Sequence, residues 1–476
     1  MASNLFNRGY LSLIASQFFG AMNDNILKGV LTFMVIDGVW KGTLVPGDGG
    51  EGIVALIFTI PFIFLSGYGG QVADRYSKRQ VLMGVKIAEV PIALLGLLGF
   101  WTGNLWITLV ALVLLTCQSA FFGPAKYGMI PELVDDRDLS RANGTINMMT
   151  NVAVIIGTLG AGVVSDMYSP KDPADAIVWL PGVTLTVIAV LGFVSALAMT
   201  PLKPGDRNLK WDWNPFRTYT EASKEMAKTK LFLVMLAWGY FYLLAGIALL
   251  IVPNYKVVLD VSNTEASILL GALGVAIGLG CAIAGFLSGD KIETRLIPFG
   301  ALGLIIFFAL LGIVKPTMPD LPPMLRVALS TPSLLIFGAG FSAGFYIVPL
   351  QALLQKMSPD DERGRILATA NACSFTFLAI ASGIFLLLRP AFGDAPQRMF
   401  LICSVLMAIG AGYFLWKLRG TGILLGAGIS DDVQLDPDLA NEPVKDTSAT
   451  EPVPAKSATQ KTNDSDQTPS TNEETS

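Results

Sequence analysis

Apolar stretches of about twenty residues recur from Leu11 to Trp416, separated by short polar runs. A helix needs that length to cross a ~30 Å hydrocarbon core at ~1.5 Å per residue. The pattern predicts twelve helices, over 11–36, 52–73, 81–101, 105–127, 142–166, 178–200, 231–254, 265–288, 296–314, 333–357, 366–388 and 398–416. Basic residues are spread unevenly over the polar runs. One set of alternate loops holds Arg8, then Arg75, Lys78 and Arg79, then Arg137 and Arg141, then a basic run from Lys203 to Lys230. It continues with Lys291 and Arg295, Lys356, Arg363 and Arg365, and Lys417 and Arg419. The opposite set holds Lys41, Lys171, Lys256, Lys315, Arg326, Arg389 and Arg398. Lysine and arginine accumulate on the cytoplasmic side of membrane proteins, so the first set and both termini are expected inside.

The longest inside loop, 201–230, divides the chain into two six-helix halves, 1–200 and 231–419. Its second part, Pro215 to Lys230, reads as a short amphipathic helix, with Trp211 and Trp213 suited to a lipid interface. From about Ser430 to Ser476 the chain turns to Asp, Glu, Ser, Thr, Pro and Lys, and 420–476 reads as one tail. Such a segment buries too little apolar surface to offset its ordering entropy, so a disordered cytoplasmic tail is expected.

Composition sharpens this reading. The chain is 52% hydrophobic and 15% charged, where a soluble domain carries about 25% charge. Mean hydropathy is +0.57. The fold class is an all-α, multi-pass membrane protein. The net charge of −4 identifies no partner, because the tail holds much of the acid. Histidine is absent, which excludes histidine triads, histidine metal sites and histidine proton relays. The four cysteines (Cys117, Cys281, Cys373, Cys403) lie in apolar spans and read as small buried residues rather than disulfide partners. No nucleophile–base set is apparent, so an enzyme is not expected. Neither is a metal, a cofactor or a nucleic-acid partner.

Two loops resemble each other at corresponding places of the two halves. Gly70-Gln71-Val72-Ala73-Asp74-Arg75-Tyr76-Ser77-Lys78-Arg79 follows helix 2, and Gly285 to Arg295 follows helix 8, with Asp290, Lys291 and Glu293 inside it. Helices 4 and 10 each carry a proline near an aromatic, at Pro124 with Tyr127 and at Pro349 with Tyr346. Helices 5 and 11 share an Ala-Asn pair, at Ala142-Asn143 and Ala370-Asn371. Parallel six-helix repeats place a binding site between the halves, near the membrane midplane. The Gly70–Arg79 loop resembles the signature loop of the major facilitator superfamily, with Ser77 where a second glycine is usual. Gly285-Phe-Leu-Ser-Gly-Asp-Lys-Ile-Glu293, Gly123-Pro-Ala-Lys-Tyr-Gly128, Gly344 to Gln355 and Asn23-Asp24-Asn25 are similar to the bacterial lysophospholipid transporter family within it.

The resemblance implies a twelve-helix bundle in the bacterial inner membrane. It also implies movement of lysophospholipids, such as lysophosphatidylethanolamine, from the outer to the inner leaflet. The Gly70, Asp74, Arg75, Lys78 and Arg79 loop would latch the cytoplasmic side against helix 11. Some members carry a fused acyltransferase that uses a histidine motif. A chain without histidine leaves acylation to a separate acyltransferase. The expected partners are thus the lysophospholipid, the bilayer and such an enzyme.

Candidate transport residues follow from cost. A charge at mid-bilayer costs ~2.5–3.5 kcal/mol on insertion scales, so Asp24 should face a cavity or a partner. Lys28, at i+4, is in reach of it. Asn23, Asp24, Asn25 and Lys28 form a candidate headgroup site, or else a pair that only sets packing. Lys126 and Tyr127 are candidates for a lipid phosphate, against a lysine that snorkels. Gln118, Tyr346 and Gln351 are candidate cavity lining, and Lys86 with Glu89 an internal ion pair. Gly274/Gly278, Gly285/Gly289 and Gly340/Gly344 read as close-packing faces, together with Gly67, Gly69 and Gly70. Two other functions stay open: a proton-coupled exporter of amphiphilic drugs using Asp24 or Glu89, and a non-transporting sensor or scaffold.

Overall fold

The computed structural model describes residues 6–40, 49–135, 138–170, 172–207, 211–214, 216–288, 292–359 and 363–419. The candidate tail, 420–476, and the loop residues Asp290 and Lys291 lie outside the described residues. Twelve long helices run through the rest. They are α1 (Arg8–Ile36), α2 (Gly50–Arg75), α3 (Lys78–Trp101), α4 (Leu105–Leu133), α5 (Leu139–Tyr168) and α6 (Leu180–Leu197). Then come α7 (Leu231–Ile251), α8 (Asn263–Ser288), α9 (Leu296–Ile313), α10 (Thr331–Lys356), α11 (Arg363–Phe392) and α12 (Met399–Arg419). Eleven helical spans among the described residues are long and apolar enough to cross a membrane. The helix that falls short is α1, whose centre carries Asn23, Asp24, Asn25 and Lys28.

The packing repeats with a period of six helices. In the first set α1 packs on α5 and α6, α2 on α4, and α3 on α4 and α6. In the second, α7 packs on α11 and α12, α8 on α10, and α9 on α10 and α12. The sets meet where α5 packs on α8 and where α2 packs on α11. The α2–α11 seam is apolar at Phe62 and Phe375, whose rings stack at 4.4 Å.

Local chemistry explains where α1 begins. Asn7 caps it, its side chain accepting from the Tyr10 N–H at 2.9 Å and donating to the Leu133 carbonyl at 2.6 Å. That second bond ties the start of α1 to the end of α4. Gly69 brings α2 onto α4, because a Cβ there would stand 2.8 Å from the Ala120 carbonyl. That carbonyl belongs to the residue four before Pro124, which has no N–H to offer it. Gly340, Gly344 and Gly274 are likewise crowded by neighbouring helices, in keeping with close-packing faces. Gly70, Gly278 and Gly285 are not; nothing lies within 4 Å of a Cβ built on them, and Gly289 lies outside the described residues.

A short helix, Arg217–Met226, follows the first set, within the range expected to be amphipathic. Its apolar face, with Ala222 and Met226, is buried in the bundle rather than offered to lipid. Glu225 on this helix pairs with Arg365 of α11.

Candidate functional site

Asp24 and Asn23 are neighbours on α1, and the ~100° turn per residue sends them to different helices. Asp24 turns to α4, where its Oδ2 accepts from the Ser119 hydroxyl at 2.9 Å. Its Oδ1 is buried and has no hydrogen-bond partner. Gln118 joins the group weakly, its Nε2 lying 3.4 Å from the Ser119 hydroxyl, and its own Oε1 is unpartnered. Lys28 does not close on Asp24: no carboxylate among the described residues lies within 4 Å of its ammonium, which sits 4.8 Å from the centre of the Phe58 ring. A flexible ammonium gains from an aromatic face when water is scarce. Asn25 bonds back along the helix, to the Ala21 carbonyl at 2.8 Å.

Asn23 turns the other way, into the core. Its Nδ2 donates to Glu89 Oε1 at 3.0 Å, and Lys86 Nζ meets Glu89 Oε2 at 2.6 Å. All three side chains are closed off from solvent. Gly20 makes room for the lysine, since a Cβ there would lie 2.7 Å from Lys86 Nζ. The internal Lys86–Glu89 pair therefore takes up the Nδ2 group of Asn23, which the sequence had grouped with the headgroup site, while its Oδ1 stays buried without a partner. Tyr346 also lies in the core, 2% exposed, with its ring stacked 5.7 Å from Phe241. Gln351, the other cavity-lining candidate on α10, is exposed.

Lys126 lies on α4 seven residues beyond Ser119, which is ~10 Å along the axis. It is 9% exposed, and its ammonium sits 4.5 Å from the centre of the Tyr127 ring. No carboxylate among the described residues pairs with it. Tyr127 is half-exposed, its hydroxyl 3.4 Å from Asn147 Oδ1 on α5. The site is thus an acceptor station at Asp24, Gln118 and Ser119, with Lys28 one turn along α1, and a cationic station at Lys126 and Tyr127. Ser119 was not singled out from the sequence. A small hydroxyl in an apolar run carries no signal until the helix opposite it is known. Among the described residues, no three acidic or cysteine side chains converge as a metal set.

The Gly70–Arg79 segment, helical up to Arg75 and again from Lys78 rather than a loop throughout, engages α4 and the stretch between the two sets. Lys78 pairs with Glu132 at 2.6 Å, and the other Glu132 oxygen accepts the Lys203 N–H at 3.0 Å. The Asp74 carbonyl accepts the Asp206 N–H at 3.0 Å. Gln71 exchanges two hydrogen bonds with the Asp212 backbone, at 3.0 and 2.9 Å. Trp211 stacks on Tyr68 at 5.6 Å. Arg79 has a buried, unpartnered Nε. The short helix adds a further contact to α11 through its Glu225–Arg365 pair, beside the direct packing of α2 on α11. In the second loop, Glu293 accepts the Arg295 N–H at 3.3 Å.

The sequence matches the Major Facilitator Superfamily over residues 13–382. It is 29% identical over 434 residues to the Lysophospholipid transporter LplT of Cronobacter sakazakii, covering 87% of this chain and 98% of that one. The Lysophospholipid transporter LplT of Yersinia enterocolitica is 27% identical over 405 residues, covering 80% of this chain and 87% of its own. Among solved structures, a bacterial homologue of the human lysosomal transporter Spinster superposes with a TM-score of 0.62 at 14% identity, covering 87% of this chain and 97% of that one. A D-xylose–proton symporter does so with a TM-score of 0.62 at 16% identity, covering 85% and 96%.

Proposed function

The chain belongs to the major facilitator superfamily, and we propose that within it the protein carries lysophospholipids, such as lysophosphatidylethanolamine, from the outer to the inner leaflet of a bacterial inner membrane by alternating access. The observation that carries this reading is the pair of stations on one wall. Asp24 offers an unpartnered acceptor oxygen, and Lys126 a buried cation without a carboxylate partner among the described residues. A zwitterionic headgroup has an ammonium for the first and a phosphate for the second. Lys126 stands ~10 Å along α4 from Ser119, the residue that holds Asp24, so the two stations act in succession. The single acyl chain stays on apolar surface, which needs none of the many hydrogen-bonding groups a sugar would demand. The names of the similar proteins support the substrate class.

Orientation follows from the basic residues: the Gly70–Arg79 loop and both termini are cytoplasmic. The halves, 1–200 and 231–419, rock about the α2–α11 and α5–α8 seams. The product is a lysophospholipid in the inner leaflet, and a separate acyltransferase restores its second chain.

The test is uptake of labelled lysophosphatidylethanolamine into spheroplasts lacking other lysolipid transporters, with and without a protonophore. Uptake by the native chain that Asp24→Asn abolishes is the expected result. Absence of uptake by the native chain removes the substrate. Asp24 is also the carboxylate a proton-coupled exporter would use, since one of its oxygens is free to hold a proton. Collapse of transport on adding the protonophore, together with net export of the lipid, would favour that reading.

A further inference from the structure

A polar lattice joins the two sets of helices at the end of the bundle opposite the Gly70–Arg79 loop. The Lys256 ammonium, just past α7, pairs with Asp37 at the end of α1. The other Asp37 oxygen accepts from Asn263 Nδ2 at 2.8 Å. Asp166, near the end of α5, accepts the backbone N–H groups of Asn263 and Thr264 at 2.8 Å each, and so caps α8. Beside them, Glu51 of α2 accepts from Asn254 at 2.9 Å, and Asn254 in turn accepts from Arg389 of α11 at 3.2 Å. The charges are segregated. The first set contributes only acids to this lattice, and the second only bases and amides.

We propose that this lattice is the outer gate of the transport path, and that a zwitterionic headgroup opens it by taking over the Asp37–Lys256 pair, its ammonium going to Asp37 and its phosphate to Lys256. The inference rests on the alternating-access reading above, which puts this end outside. The halves cannot part here without breaking the bonds that Asp37, Glu51 and Asp166 make to the second set. Stripping a partly buried ion pair is costly unless each charge is met by another. A lysophospholipid headgroup brings both replacement charges on one molecule. The Lys256 and Asp37 side chains are 20% and 13% exposed, so a headgroup reaches them from outside. A ligand shifts an equilibrium only by binding one state better, and the parted Asp37 and Lys256, an acid on one wall and a base on the other, supply that difference.

Thr32 is a suitable reporter. It follows Asp24 and Lys28 on α1 at successive i+4 steps, so it shares their face and lies between them and the gate. Thr32→Cys is introduced into the full chain with its four native cysteines replaced by alanine. Labelling by a membrane-impermeant maleimide added outside is then timed. We expect slow labelling with the lattice intact and roughly tenfold faster labelling in Lys256→Gln. The double reversal Asp37→Lys with Lys256→Asp should return labelling towards the slow rate, which a misfolded protein would not do. Lysophosphatidylethanolamine should speed labelling of the intact lattice, and lysophosphatidic acid, which lacks the ammonium, should not. Equal labelling of Lys256→Gln and the intact lattice overturns the gate. Equal acceleration by the two lipids overturns the headgroup exchange. If Lys256→Gln opens but the native chain moves no lysolipid, the gate stands and the substrate falls. Lysolipid movement with labelling unchanged by Lys256→Gln gives the reverse.

Discussion

Charged groups inside this bundle differ in what meets them, and the difference sets their roles. Lys86 and Glu89 are fully buried and mutually satisfied, with Asn23 as third member. Removing one partner leaves a bare buried charge, at a cost of ~3–5 kcal/mol. Ordinary interhelical hydrogen bonds in membranes average only ~0.6 kcal/mol. Lys86→Met should therefore lower the midpoint of detergent-induced unfolding sharply, while Tyr10→Phe, which loses the hydroxyl bond to the Ala142 carbonyl at 2.6 Å, should barely move it. Equal effects would show that the triad is not a packing device. Asp24 and Lys126 keep free capacity instead. A hydrogen bond to a charged group is worth ~1.5–3 kcal/mol, or roughly ten- to a hundredfold in affinity. Lys126→Gln should therefore raise the half-saturating concentration of lysophosphatidylethanolamine by at least about tenfold, with folding unchanged, as read by uptake against lipid concentration.

At the scale of elements, close approach and clamping decide the geometry. Gly69 lets α2 lie against α4 beside Pro124, within a van der Waals radius or two of the Ala120 carbonyl. Gly69→Val would drive these helices apart and tilt the wall that carries Ser119. The expected outcome is loss of uptake with the protein still inserted, checked by comparing transport with membrane yield. Gly70→Ala is the control, since its Cβ would meet nothing within 4 Å. The segment between the sets holds α2 through Tyr68 and Gln71, and α11 through Glu225 and Arg365. Glu225→Arg should loosen this strap and Arg365→Glu added to it should restore it. Protease cleavage of the linker in membranes reads both. An exposed ion pair alone is worth ~0–1 kcal/mol, so the change should be in cleavage rate and not in overall stability.

For the whole molecule, the repeated packing pattern gives two six-helix sets that meet along two seams, α2 with α11 and α5 with α8. One seam is marked by stacked phenylalanines, while the end opposite the loop is joined by ions and amides. Apolar contacts tolerate a small rotation, whereas directed ion pairs hold or release. Locking that end should thus stop the cycle. Asp166→Cys with Thr264→Cys, which leaves the Asp37–Lys256 pair in place, bridged by a short bifunctional thiol reagent, should arrest uptake, and a cleavable version of the reagent should restore it on reduction. Uptake that persists in the bridged protein would show that this end does not open.

The linear pattern determined a good deal by itself. Twelve helices, their order, the duplication and the expected sides follow from hydropathy and basic-residue bias, because length and charge act wherever the chain lies relative to its neighbours. The first helix was legible too, although its polar centre leaves it short of the apolar length that the other eleven reach. Tertiary structure alone decided which polar residues are spent and which are free. Asn23 and Asp24 are adjacent in the chain and were grouped as one candidate site, but one turns to Glu89 on α3 and the other to Ser119 on α4. Helical periodicity gives each residue a direction and says nothing of what stands opposite. The same limit hid Ser119, placed Tyr346 in the core, and kept from view the lattice whose members, from Asp37 to Arg389, lie hundreds of residues apart and meet only at one end of the folded bundle.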